Sequence, residues 1–269
     1  MTARISKQSA WTARRLSAFA VLMLLVGCGG GDGAAGDGSG TEATTRALLT
    51  QPAGEGPATS FEGVPEIANQ ATTAYLPDLG YDRGDVQAPL KVIEFSDFGC
   101  GFCRRFHEES FPTLMTEFIE TGMIEWKFLP FITGSFGNSL PVTEAAECAL
   151  EQSTELYEAL GGMLWVRQGD WKATGDAAAL VRSWAGEAGV DLARFDSCLS
   201  EDRRLNRVAG ATAIAQQLGV RATPTFWIVG YGPLQGALPV DVFQGIFTTL
   251  HAEVLAAADS AAAAPRPGA

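Results

Sequence analysis

The chain has 269 residues, 46% of them hydrophobic and 19% charged, which is too apolar for wholesale disorder and long enough for one or two packed domains. Nineteen lysines and arginines stand against 31 aspartates and glutamates, a formal charge of −12. A surface that neutralises nucleic-acid phosphates is therefore disfavoured. Charge in the first residues is wholly positive, at Arg4, Lys7, Arg14 and Arg15, and an uncharged run from Leu16 to Gly27 then leads into Cys28. At about 1.5 Å per residue this run spans roughly 18 Å, short of a hydrocarbon layer of roughly 30 Å, so residues 1–27 read as an export signal rather than a spanning helix. Residues 28–72 are rich in Gly, Ala, Ser, Thr and acidic side chains and hold too few aliphatic groups to offset the entropy of ordering, so they read as a tether. The tail at 257–269 reads as disordered on similar grounds.

Between these segments, residues 73–256 form one domain of ordinary size. Leu90 to Phe95 is an apolar, β-branched run suited to a buried strand; a tight turn follows, and then a helical recurrence of Phe102, Phe106, Phe111, Leu114, Met115 and Phe118, with Pro112 expected to kink it. Met123 to Leu129 is the next strand, and a crossover of this length makes the pair parallel. From about 140 to 218 strand signals vanish. Helices are expected at 143–152, 154–166, 176–188, 191–199 and 202–218, with Asp191 as an N-cap and Gly219 as a stop. A strand at Thr225 to Val229, a return near Leu234-Gln235 and a helix from about Pro239 to Leu255 complete a small mixed sheet flanked by helices. Trp165, Trp171 and Trp184 read as packing of the helical block rather than as the lining of a peptide groove.

The chemistry concentrates at Cys100-Gly101-Phe102-Cys103, a C-x-x-C at the strand-to-helix turn. There Cys100 meets backbone N–H groups at the positive end of a helix, with Arg104 and Arg105 nearby, all of which favour thiolate over thiol. Lowering a thiol pKa from about 8.5 to about 6 takes roughly 3.4 kcal/mol, more than a surface dipole supplies, so direct contacts to the sulfur are required. Cys103, one turn inward, is expected to be the more buried thiol. Haem attachment would need a histidine where Arg104 stands, and zinc would need two further ligands. His107 is the nearby imidazole and His251 the other, while Cys148 and Cys198 are remote. His107 reads first as a hydrogen-bonded helix residue and only second as a ligand or proton relay.

The stretch from Glu94 to His107 (EFSDFGCGFCRRFH) resembles the active-site segment of DsbA-like thiol-disulfide oxidoreductases of the thioredoxin superfamily, and Gly219 to Phe226 (GVRATPTF) is similar to that family's cis-proline loop. The likeness runs from about Gly84 to Leu255. It implies an α/β thioredoxin-like fold with an all-helical insertion at about 140–218. Cys100 would be the attacking thiolate and Cys103 the resolving thiol, with Thr223-Pro224 in cis facing both. Thr223 would pair with an extended substrate chain, flanked by Gly101 and Phe102. Glu94, six residues before Cys100, would be a buried carboxylate that exchanges a proton with Cys103. Asp97 would cap the turn. Gly101 stands where many members carry proline, which leaves open whether disulfides are formed, reduced or isomerised, with a weaker oxidant than imidazole-bearing members the expectation.

Leu25-Val26-Gly27-Cys28 resembles a bacterial lipobox, which implies a lipid on Cys28 and residence in the cell envelope, periplasmic or otherwise extracytoplasmic. In an oxidising compartment Cys148 and Cys198 are expected to bond to each other, the alternative being two buried reduced thiols. The expected function is disulfide exchange with cysteine-containing exported proteins, the pair being restored by a membrane redox partner. No cofactor or metal is needed, since the sulfurs carry the electrons. Two rivals are a zinc- or copper-handling module built on Cys100, Cys103 and His107, and a chaperone-like binder of unfolded exported chains.

Overall fold

The structure is a computed structural model that describes residues 76–263; the expected export signal at 1–27, Cys28 and the expected tether at 28–72 lie outside the described residues. Strand β1 (Tyr81–Arg83) is followed by β2 (Leu90–Ser96), and every side chain of β2 is buried. Burial on both faces is what its near-continuous apolar run calls for. After β2 comes helix α1 (Gly101–Glu109), then α2 (Phe111–Leu114), which continues as a π turn over Met115–Ile119. The single kinked helix expected here is thus two: Ser110 breaks the run, and Pro112 sits in the first turn of α2, where its missing N–H would have had no intrahelical partner. Strand β3 (Ile124–Pro130) pairs parallel to β2, with Glu94 opposite Phe128.

Strands β4 (Thr225–Ile228) and β5 (Gly232–Gln235) form an antiparallel hairpin, and β4 lies antiparallel to β2. The sheet order is β1-β3-β2-β4-β5. Its faces divide by the alternation along β2. Val92 packs with Phe106, Trp126, Phe226 and Phe243, while Ile93 and Phe95 pack with Leu129, Ala211, Ile214 and Ala215. Glu94 shares the first face.

Between β3 and β4 run α3 (Ser139–Leu150), α4 (Thr154–Val166), α5 (Gln168–Ala173), α6 (Ala177–Glu187), α7 (Leu192–Ser200) and α8 (Leu205–Gln217). The Asp191 carboxylate accepts from the N–H groups of Ala193 and Arg194, the expected N-cap of α7. Helix α8 begins three residues later than expected because Asp202 lies at φ 49°, outside the helical region. It stops as expected: Gly219 is at φ 74° and the Val220 N–H reaches back to the Ala215 carbonyl. Helix α5 has no counterpart among the expected elements. Trp165, Trp171 and Trp184 are all buried in the core of this block. So are Cys148 and Cys198, which are bonded to each other with Cα atoms 5.8 Å apart.

The last helix, α9 (Val240–Ala263), covers the sheet through Phe243, Ile246 and Phe247. It also corrects the expected tail: alanine is the strongest helix former, and its run from Ala256 onward continues the helix to Ala263. No helix among the described residues is long and apolar enough to cross a membrane. Because the bridge closes a loop with a sequence separation of 50, the Cys148→Ala/Cys198→Ala double variant is expected to lose about 2–5 kcal/mol. Denaturant unfolding of oxidised wild type and variant measures this, and equal midpoints would show that the bridge contributes nothing.

Candidate active site

The turn between β2 and α1 is held from two sides. The Asp97 carboxylate accepts from the Gly99 N–H at 2.9 Å, from the N–H and hydroxyl of Thr133 at 3.1 Å each, and from the Ser139 hydroxyl. Asp97 therefore caps the turn into the helix, as expected, while the N-cap position of the helix itself belongs to Cys100. From the insertion, Gln168 Nε2 donates to the carbonyls of Phe98 at 2.6 Å and Cys100 at 2.9 Å, and Lys172 Nζ donates to the carbonyl between them, Gly99, at 2.6 Å. Three successive carbonyls thus find partners on one short helix, α5. Gly99 is required by close approach, since a Cβ there would lie 2.4 Å from the Phe136 side chain.

Cys100 caps α1 with extended backbone, φ −79° and ψ 123°, and its sulfur lies 3.3 Å from the Thr223 carbonyl oxygen. The Thr223-Pro224 peptide bond is cis. The two loops, 123 positions apart in sequence, therefore meet at this sulfur. Both thiols are free in the structure. Cys100 keeps 4% of its surface and Cys103 none, so an incoming sulfur meets Cys100 first.

The two thiols differ sharply in acidity. A hydrogen bond from Cys103 is the largest cause lowering Cys100 to about 6 from an ordinary 9.0; burial opposes it, and the Thr223 side chain and the N–H groups of Cys103 and Phe102 add to it. These are the direct contacts that the helix dipole alone could not replace. Cys103 moves the other way, well above the ordinary value, chiefly through burial and then through its hydrogen bond to Cys100 and the charge there.

Glu94 is fully buried beneath the pair. Its Oε1 accepts from Ser96 Oγ at 2.5 Å and meets His107 Nε2 at 2.7 Å, and its Oε2 accepts from Trp126 Nε1 at 3.1 Å. Ser96 also hydrogen-bonds the Cys103 sulfur, so serine bridges thiol and carboxylate. The contact between Glu94 and Cys103 thus runs through Ser96. Ser96 is legible as the next residue on the same face of a strand, two positions along. Gln168 and Lys172 carry no such signal, lying in a six-residue helix with a glycine at its second position. His107 is turned to Glu94, and among the described residues no three metal-ligating side chains are placed to hold an ion. Phe102 is 59% exposed beside the pair, with the Arg105 guanidinium 5.1 Å from its ring centre.

Residues 80–233 match the family model described as Thioredoxin. Among curated proteins, the chain is 30% identical over 160 residues to Na(+)/H(+) antiporter NhaA 3 of Salinispora tropica, across 58% of this chain and 23% of that protein. It therefore spans about a quarter of that relative. It is 24% identical over 177 residues to disulfide bond formation protein D of Bacillus subtilis, across 62% of this chain and 73% of that one. Among solved structures, α-DsbA1 of Wolbachia pipientis superposes with a TM-score of 0.59 at 20% identity, across 65% of this chain and 92% of that one.

Iodoacetamide should alkylate Cys100 at a rate that is half-maximal near pH 6 rather than 9. Because the folded value lies below the unfolded one, the reduced protein should gain stability over Cys100→Ser as pH rises from 6 toward 9, and lose that margin as pH falls through 6. A margin flat across this range would contradict the depressed value. Gly101 opens α1 with no heavy atom within 4 Å of where a Cβ would stand, and Cys100 before it is extended, as a residue preceding proline must be. Gly101→Pro should therefore stabilise the protein by about 0.4–1 kcal/mol in denaturant unfolding, since proline mainly restricts the unfolded chain.

Proposed function

The chain belongs to the thioredoxin family, and from that premise we propose that it is a thiol-disulfide oxidoreductase acting on cysteines of other exported proteins. The observation that carries this reading is geometric: Cys100 Sγ stands at the mouth of α1, 3.3 Å from the Thr223 carbonyl oxygen of the loop before β4, with Cys103 buried behind it, an arrangement that lowers the pKa of the first thiol and raises that of the second. In the reducing direction the Cys100 thiolate attacks a client disulfide, and one client sulfur leaves with the electron pair. Cys103 then gives its proton through Ser96 to Glu94 and attacks Cys100 Sγ. The second client sulfur leaves as thiolate, so two electrons have passed from the pair to the client. The reverse sequence oxidises a client dithiol.

Thiolate stabilisation at Cys100 lowers the free energy of the reduced pair and so favours taking electrons from clients. Thr223, with Gly101 and Phe102 exposed beside the sulfurs, would hold the client chain. Residues 1–27 would direct export, and lipid on Cys28 would anchor the protein at a membrane of the cell envelope. There a membrane redox partner would restore the pair.

Turnover of insulin or of a dithiol substrate tests the proposal. Wild type should act and Cys100→Ser should show no rate above background, whereas equal, negligible rates would leave only a binder. Cys103→Ala should accumulate client adducts on nonreducing gels, because nothing remains to resolve them; a clean gel would remove Cys103 from its role. The reduction potential should fall between roughly −270 and −120 mV, the values that go with cysteine pKa values near 7 and near 3.5, and a potential below that interval would contradict the depressed pKa of Cys100.

A further inference from the structure

Glu94 presents no surface, so a proton it takes from Cys103 cannot pass directly to water. Of its three side-chain partners, Ser96 leads back to the sulfur, and the Trp126 indole is a donor only. The third is an imidazole, which accepts a proton at one nitrogen and gives one up at the other. His107 is also the partner that borders open space. Its ring forms part of the wall of a cavity of about 450 Å³, where Glu108 and the exposed Val166 also line the wall. The ring is held in place by stacking on Trp165, with centroids 4.5 Å apart and planes within 12°.

We propose that His107 is the exit for the resolving thiol's proton, carrying it from Glu94 to water in this cavity. The step rests on the oxidoreductase reading above. Cys103 S–H loses its proton through Ser96 to the Glu94 carboxylate; the freed thiolate attacks Cys100 Sγ and expels the client sulfur with its electron pair. His107 Nε2 takes the proton from Glu94 and Nδ1 releases its own to cavity water, which restores the carboxylate and the neutral ring but leaves the ring hydrogen on Nε2; exchange of that hydrogen with water resets the tautomer before the next cycle. The charged and titratable groups around the ring are Glu94 from β2, Tyr81 and Arg83 from β1, Tyr157 and Glu158 from α4, and Glu108 on its own helix. Arg83 and Glu158 are paired at 2.9 Å, so the cavity's cation is matched by an anion.

The test uses the reduced full chain mixed rapidly with glutathione disulfide, quenched with acid and resolved by mass into mixed disulfide and closed pair. His107→Ala should slow closure by Cys103 roughly a hundredfold near pH 7, the lower end of general acid-base contributions. Attack by Cys100 should keep its wild-type rate. Added imidazole, small enough for the enlarged cavity, should restore closure. His107→Gln, which keeps a hydrogen-bonding partner for Glu94 but cannot relay a proton, should also close slowly. Closure at the wild-type rate in either variant overturns the proposal, as does slow closure in His107→Ala that imidazole does not speed. A wild-type protein that forms no mixed disulfide overturns the oxidoreductase reading itself and this proposal with it.

Discussion

A sulfur anion in a largely buried site survives only where enough donors converge on it to outweigh lost hydration. At Cys100 these are the Cys103 thiol, the Thr223 side chain and the N–H groups of Cys103 and Phe102, set against burial as the opposing effect. Each donor depends on a different part of the fold. The N–H groups require α1 to begin where it does, which requires the turn at Asp97. Thr223 requires β4 to lie antiparallel to β2, so that the loop before it arrives at the helix mouth. The thiolate is thus a reporter on the packing of the sheet as much as on the C-x-x-C itself.

The same convergence divides the two sulfurs. Hydrogen bonding between them lowers one and raises the other, so acidity gained at Cys100 is bound up with acidity lost at Cys103. A thiol held this firmly needs help to deprotonate, and the polar groups below it supply a connected set: serine, carboxylate, imidazole and indole in contact inside an otherwise apolar layer. Phe106, Trp126 and Phe226 pack together on that same face of the sheet.

Much of this is legible in the amino-acid order because it is local. The apolar run of β2 and the turn into α1 announce the paired cysteines, and Asp191 and Gly219 mark helix ends through backbone chemistry that acts over three or four residues. What is not legible depends on distance or on weak signals. Strand β1 has three residues and too little pattern to declare itself. Asp97 reads as a cap of the turn, but nothing local shows that its carboxylate is shared with Thr133 and Ser139, groups 36 and 42 positions away. Helix α5 owes its existence to burial of Trp171 and Gln168 rather than to propensity. Pro112 suggests a kink because the break at Ser110 leaves no mark in the hydrophobic spacing. The tail suggests no form because small residues cannot show a core-facing stripe, although alanine favours helix on its own.

Helix α5 also bears on how far this architecture can be pared down. Trimming the chain to its sheet and covering helices would delete Gln168 and Lys172 and strand three adjacent buried oxygens at the base of the reactive turn. A minimal scaffold would need to re-engineer donors there before its cysteines could adopt the same geometry. The helical block is therefore a keystone, not an ornament grafted onto a self-sufficient core.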